Sequence, residues 1–395
     1  MTAYLLYGLC LIVYGGLTIR HAKRFRQARD RIGWRVHVNG IRGKSTVTRY
    51  LAAIFRAAGY RTFGKTTGSA ARILQPDGQD FDFGRRGFPN VNEQVRILWK
   101  FGLQQAEVAV IECMAVNPLY GEWLEQKVMC SQLGILTNVR LDHMDYLGDT
   151  LPQIARSLVR SAPKDGLLIT AEEDPELQQI LRAEAAKRGS NLLVADQASV
   201  NTKSLAGFNH FAIEANVAIG YLVADLLGLD RQQALQAMQS AQPDPGAFRL
   251  KQVERDGHCI SWANLFAVND PESFVDLCER LFELHPKHQR VVILNNRRDR
   301  QTRVELFAEL AVQLVFDLVV SFGDFEAEVN QVLARHQWPI LNLGNSSSLR
   351  EANGEQLLAQ ILEASNPNKP LLLIGTVNIH TTQAERLLDV MGDSY

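Results

Sequence analysis

Three short runs hold residues suited to phosphate and metal chemistry. The first is Asn39-Gly40-Ile41-Arg42-Gly43-Lys44-Ser45-Thr46, preceded by the apolar-rich Val36-His37-Val38. Glycines at 40 and 43 let the backbone curl so that successive N–H groups face an anion, Lys44 adds a point positive charge, and the Ser45 hydroxyl can ligate a divalent cation. Only Ile41 and Arg42 separate the two glycines, where the common phosphate loop has four residues. The second run, Val108-Ala109-Val110-Ile111, delivers Glu112, and the third, Gly134 to Thr137, delivers Asn138 followed by Asp142-His143-Met144-Asp145. A hard carboxylate can hold Mg²⁺, and an imidazole can hold a second ion or orient phosphates. Taken singly, a strand-end Glu is also a common helix cap and a lone His an ordinary loop residue.

These groups need a scaffold, and the pattern supplies one. Candidate parallel strands are Arg35–Asn39, Glu107–Glu112, Leu133–Asn138, Leu167–Thr170 and Leu192–Ala195, joined by helix-length connections. Val47, Leu51, Ile54 and Phe55 share one helical face, with Gly59 placed as a C-cap, so strand, loop and helix follow in the order a phosphate loop requires. Further helices are expected from Thr150 and over Phe211–Leu227. Gln242-Pro243-Asp244-Pro245-Gly246 breaks the pattern and marks a boundary. Beyond it, strand candidates Cys259–Ala267, Arg290–Asn295, Val315–Phe322, Pro339–Leu343 and Leu371–Gly375 alternate with helices beginning near Pro271, Thr302, Glu326, Asn353 and Thr381, a second doubly wound sheet.

The formal net charge of −1 and the lack of an aromatic-interleaved basic stripe argue against a nucleic-acid partner. The five scattered cysteines show neither metal nor redox spacing, which fits a reducing compartment. Ala3 to Ile19 carry no charge and are followed by Arg20, His21, Lys23, Arg24, Arg26, Arg29 and Arg31. This predicts an N-terminal membrane helix, a single-pass anchor with the remainder on the cytoplasmic side of the cell membrane; a buried or interfacial helix is the alternative. The expected division is residues 1–30 as anchor and basic flank, 31–245 as an ATP-binding domain and 246–395 as a Rossmann-like α/β domain.

The order of the short phosphate loop, Glu112 and Asn138-Val139-Arg140-Leu141-Asp142-His143-Met144-Asp145 resembles the Mur ligase superfamily of ATP-dependent amide-forming enzymes. Further segments narrow the likeness: Gly64-Lys65-Thr66-Thr67-Gly68, Pro89-Asn90-Val91-Asn92-Glu93, Glu112-Cys113-Met114-Ala115-Val116-Asn117-Pro118, Pro243 to Arg249, and Gly375-Thr376-Val377-Asn378-Ile379-His380. Together they look like the poly-γ-glutamate synthase subunits of the capsule biosynthesis type, over almost the whole chain.

The resemblance implies ATP and Mg²⁺ as cofactors, glutamate and the growing polyglutamate chain as substrates, and integral-membrane companion subunits. It implies that a carboxylate takes the γ-phosphate of ATP and that the resulting acyl phosphate is attacked by an amine. Asn39, Gly40, Arg42, Gly43, Lys44, Ser45 and Thr46 would then surround the nucleotide phosphates. Ser45 and Glu112 would hold one Mg²⁺ and His143 a second. Arg249 matches an arginine that reaches the phosphates, and Asn216 falls on the helix that offers an asparagine to the nucleotide, a packing or capping role being the alternative. Asn269 or Asp270 falls where relatives have a nucleotide-facing motif. Lys65, Thr66 and Arg72 are candidates for substrate carboxylates, with solvated charges as the alternative. Arg297, Arg300 and His380 are candidates in the second domain, where Arg298 and Arg303 enlarge a cationic run that also reads as a helix start.

Two departures from the superfamily pattern matter. Gln153-Ile154-Ala155-Arg156-Ser157-Leu158 contains no lysine, so the carbamylated lysine of many members is not expected. Asn39 follows the N-terminal run almost directly, so the UDP-sugar domain of the peptidoglycan enzymes is not expected and an amino acid or polyglutamyl acceptor is. Competing readings are a folylpolyglutamate- or cyanophycin-type ligase, against which the anchor argues, and a P-loop kinase or ATPase, which leaves the second sheet unassigned.

Overall fold

The computed structural model describes residues 2–67, 71–85, 89–205, 207–208, 212–243, 248, 250–266, 268, 270–298, 301–344, 353–378 and 381–393. The chain divides into two compact units, Met1–Pro245 and Gly246–Tyr395.

In the first unit eight strands form one sheet: β1 Trp34–Asn39, β2 Thr62–Lys65, β3 Arg72–Leu74, β4 Asp80–Asp82, β5 Val108–Glu112, β6 Leu133–Leu136, β7 Leu167–Thr170 and β8 Asn191–Val194. Their order is β4-β3-β2-β5-β1-β6-β7-β8. From β2 to β8 neighbouring strands run parallel, and the β3–β4 hairpin adds an antiparallel edge. The central strands β5, β1 and β6 are buried on both faces, as apolar-rich strands of a parallel sheet are, whereas the edge strand β4 is largely exposed. Val36, Val38, Val108 and Val110 face a core shared with helix α2, Lys44–Ala57, and with helices Glu214–Leu227 and Arg231–Ser240. Ala109 and Ile111 point the other way, toward helix α3, Asn92–Leu103. The expected strands are present. The hairpin went unread because strands of three residues offer too little periodicity to register.

The N-terminal helix α1, Thr2–Asp30, corrects the membrane expectation: among the described residues no helix is long and apolar enough to cross a membrane. The apolar run is diluted by Tyr7, Gly8, Tyr14, Gly15, Gly16 and Thr18, and the same helix continues into its basic segment. That segment is built into the first unit. Phe25 and Ala28 are buried, the His21 ring meets Trp99 edge-on at 4.5 Å, and a Cβ on Gly102 of α3 would stand 2.1 Å from the Ala28 carbonyl oxygen. The single-pass assignment falls with it, as does the argument that used the anchor against folate-type ligases.

The second unit holds a six-stranded sheet: β9 Leu250–Arg255, β10 His258–Leu265, β11 Gln289–Asn296, β12 Leu318–Gly323, β13 Ile340–Asn342 and β14 Leu371–Thr376. Its order is β13-β12-β11-β14-β10-β9, all parallel except the edge strand β9. Val292, Leu294, Leu372 and Ile374 face helices Pro271–Leu284 and Gln301–Gln313, whereas Val291, Ile293, Leu371 and Leu373 face helices Gly354–Glu363 and Thr382–Val390. Helices on both faces make this a doubly wound α/β unit.

Candidate active site

The phosphate loop sits at the C-terminal end of β1 and opens α2. Gly43 is the residue before the helix at φ 78°, and Gly40 lies at φ 127°. Both glycines are also sterically required. A Cβ on Gly40 would lie 2.1 Å from Thr137 Oγ1, and one on Gly43 would lie 2.6 Å from Asn216 Oδ1. Asn216, distant from the loop in sequence, is thereby brought against it from helix Glu214–Leu227, buried and with no hydrogen-bond partner for Oδ1 among the described residues.

Loop and β6 exit are stitched together. Asn138 Oδ1 accepts from the Arg42 N–H at 3.0 Å, Thr137 Oγ1 donates to the Arg42 carbonyl at 2.6 Å, and the Arg42 guanidinium pairs with Asp142 at 3.2 Å. Lys44 Nζ donates to the Gly40 and Ile41 carbonyls at 2.8 and 3.0 Å. Desolvation by this wrapping lowers its ammonium below the usual lysine range, with Glu112 acting in the opposite direction. The Asn39 side chain turns inward and donates to Ser161 Oγ at 2.8 Å, while Thr46 lies in the first turn of α2.

Glu112 is the centre of the arrangement. It is buried at the end of β5, and its Oε2 accepts from Ser45 Oγ at 2.8 Å and from the Thr67 N–H at 2.7 Å. A serine hydroxyl beside one carboxylate at the mouth of a phosphate loop is a hard, oxygen-only donor pair; Mg²⁺, which completes its shell with phosphate oxygens and water, fits it. His143 is not gathered into this pair. It lies in a left-handed conformation at φ 49°, its side chain half exposed and 3.8 Å from Asp142, and among the described residues no group of three or more His, Cys, Asp or Glu is placed to hold a metal.

Lys65 is fully buried at the end of β2, its ammonium 3.6 Å from Glu93 Oε2 and 5.2 Å from the Phe83 ring centroid. Burial lowers its pKa while Glu93 opposes the shift. Burial pushes the Glu93 carboxyl up, but Arg85 at 3.0 Å and Lys65 outweigh it and hold it below the usual range. Thr66 is buried, and its Oγ1 has no hydrogen-bond partner among the described residues. Arg72 pairs with Asp80 at 3.1 Å, a carboxylate that Arg49 also holds at 2.8 Å. In the second unit Asp270 caps helix Pro271–Leu284 through the Ser273 N–H at 2.9 Å. Arg297 follows β11 directly, and Arg303 NH1 donates to Asn378 Oδ1 at 3.5 Å. Arg249, Asn269, Arg300 and His380 lie outside the described residues.

Two groups of positioning residues escaped the motifs. Gln94, fully buried in the first turn of α3, donates from Nε2 to the Glu112 carbonyl at 2.6 Å. His37 on β1 is buried with Nδ1 2.9 Å from Glu125 Oε2. Burial would lower its pKa, but the adjacent Cys113 sulfur and Glu125 outweigh that and hold the imidazole up at about 10. An isolated Gln or a His in an apolar strand carries no sequence signal; only its partner, 18 or 88 residues away, gives it meaning.

A phosphate loop of this form on such a sheet, with a carboxylate at the next strand end, defines a Mur-ligase-like unit, and residues 38–215 match the Mur ligase middle domain. The fold agrees: E. coli FolC, solved in complex with ADP, superposes with a TM-score of 0.66 at 18% identity, over 94% of this chain and 93% of that one. Residues 250–393 match the poly-gamma-glutamate synthase CapB C-terminal domain. The chain is 32% identical to the capsule biosynthesis protein CapB of Bacillus anthracis over 97% of its own length and 82% of the relative's. It is 34% identical to the PGA synthase CapB of Bacillus subtilis over 73% of its length and 74% of that protein. The chain belongs to the CapB family of poly-γ-glutamate synthases and is an ATP-dependent amide ligase.

Proposed function

We propose that this ligase joins glutamate units through an acyl phosphate, using the Ser45–Glu112 pair as its Mg²⁺ site. A glutamyl carboxylate attacks the γ-phosphorus of ATP and ADP leaves; the amine of the next residue then attacks the activated carbonyl, and phosphate is expelled as the amide forms. A free carboxylate is a poor electrophile with a poor leaving group, and phosphorylation remedies both. The loop N–H groups and Lys44 bind the β- and γ-phosphates. The cation, when bound, neutralises charge that builds on the phosphates during transfer. Catalysis is then mainly alignment, worth up to about 7–11 kcal/mol for well-placed reactants.

The observation that carries this reading is the 2.8 Å contact between Ser45 Oγ and Glu112 Oε2 at the mouth of the loop. Arg42, Gly43, Thr46 and Asn216 line the nucleotide side in the proposal. His143 is assigned to a second Mg²⁺ and Arg249 to the ATP phosphates on the resemblance alone. Thr66 and Arg72, with Arg297, Arg300 and His380, are assigned to substrate on the same ground, whereas Lys65 already has Glu93 as counter-ion and is better described as fixing the β2 end. The resemblance also implies integral-membrane companion subunits, and a complex with them belongs to the same proposal.

The test is incubation with ATP, Mg²⁺ and labelled glutamate, following ADP and γ-linked product. Lys44→Ala should abolish both. Amide formation with release of AMP in place of ADP, or unaltered product in Lys44→Ala, would overturn the mechanism.

A further inference from the structure

The β3–β4 hairpin and α3 enclose an open cavity of about 410 Å³ that the ligase mechanism does not use. Its floor is apolar. Ile73 and Phe81 face each other across the hairpin, Ile97 comes from α3, and Phe81 is 51% exposed, a large aromatic surface left facing solvent. Its wall is cationic: Arg96 and Lys100 stand one turn apart on the same side of α3, both exposed, and neither has an ion-pair partner among the described residues. The one carboxylate in the lining, Asp82, accepts a hydrogen bond from the Gly84 N–H at 2.7 Å.

Two of its walls connect to the site described above. Phe83 of the lining has its ring centroid 5.2 Å from the Lys65 ammonium, and the first turn of α3 holds the Glu112 carbonyl through Gln94. Lys100 is two turns further along α3, roughly 10 Å from that turn at 1.5 Å per residue. The lining therefore sets apolar surface beside positive charge on the helix whose first turn contacts the phosphate-loop carboxylate residue. A ligand matching it is a flexible chain that carries one carboxylate per unit with methylenes between them. A γ-linked glutamyl oligomer has this chemistry, since every unit keeps its α-carboxylate and places two methylenes in the main chain.

We propose that this cavity binds the γ-glutamyl chain being extended, its carboxylates on Arg96 and Lys100 and its methylenes over Phe81 and Ile97. The proposal rests on the polymer-forming reading above and adds a site to it. A solvated helix face would explain the two cations alone; it does not explain why they stand over an exposed aromatic floor.

The experiment is fluorescence anisotropy of a labelled γ-linked hexaglutamate titrated with the full chain, with ADP binding and polymer synthesis from free glutamate measured alongside. Arg96→Glu combined with Lys100→Glu should weaken oligomer binding by about tenfold or more, since two attractive exposed contacts become repulsive. Phe81→Ser, which leaves the charges intact, should weaken the γ-linked oligomer more than its α-linked isomer, whose main chain has no methylene pairs. ADP affinity should not move in either variant. Equal oligomer affinity in wild type and both variants, or no binding to the wild type, would overturn the assignment while polymer synthesis by the wild type left the function intact. Failure of the wild type to make any polymer would instead overturn the underlying reading and this site with it.

Discussion

Gln94→Leu tests whether the Glu112 carboxylate is held in place from α3. The substitution keeps most of the volume of a fully buried side chain, so the cavity contribution is small, but it removes the 2.6 Å hydrogen bond to the Glu112 carbonyl. A buried carbonyl left without that donor costs about 1–3 kcal/mol. For a body of this size that corresponds to a fall in Tm of roughly 2–10 °C. The functional effect is separable. If the bond aims Glu112 at the cation, half-saturation of ATP-dependent ADP release by Mg²⁺ should rise about tenfold, equivalent to about 1.4 kcal/mol. Glu93→Gln is the control, because Glu93 occupies the same helical turn and pairs with Lys65 and Arg85. It should lower Tm and leave the Mg²⁺ dependence alone. A Gln94→Leu enzyme with lowered Tm and unchanged Mg²⁺ half-saturation would refute the positioning argument and reduce Gln94 to a packing residue.

Gly43→Ala should lower nucleotide affinity by tenfold or more, measured by titration with ADP, because φ 78° is strained for alanine by about 1–2 kcal/mol and the new Cβ would displace Asn216; unaltered affinity would show that the loop relaxes freely. Stability should fall on acidification below about pH 6.5. Burial lowers the pKa of His285, with His288 adding to the shift, and burial likewise lowers His288. The native state therefore prefers both rings neutral, no stability difference arises above the unfolded value near 6.5, and the unfolded chain binds protons preferentially below it. Urea midpoints between pH 8 and 5 should drop for the wild type and drop less for His288→Gln; parallel curves would exclude this pair as the source.

The second pH effect has the opposite sign and the same logic. His37 is held charged by Cys113 and Glu125 up to about pH 10, so its contribution is complete below the unfolded value near 6.5 and declines as pH rises toward 10. His37→Asn should therefore flatten the alkaline side of the stability profile read from the same urea midpoints.

The local sequence by itself determined the phosphate loop and the strands around it. Gly40, Gly43 and Lys44 act through backbone conformation and charge within a few residues, and β1, β5 and β7 are buried runs whose character is visible without neighbours. The doubly wound layout follows from their alternation with helices. Tertiary structure alone decided which groups meet. Gln94 and Thr67 converge on Glu112 because β2 and α3 flank β5, and Asn216 reaches Gly43 because its helix packs on α2. For α1, tertiary contact decided the place of the basic segment alone. An uncharged run read alone suggests a membrane span, but the helix is not apolar enough to cross one, and its basic continuation is packed by Phe25 and Ala28 into the first unit. Lys65 makes the point most sharply: in the sequence it is a free cation beside a motif, and in the fold it is a buried charge whose state is set by Glu93, a residue that only the sheet brings within 3.6 Å. Propensity and charge are local properties of the chain, but burial and pairing depend on residues distant along it, and these depend on how the sheet orders its strands.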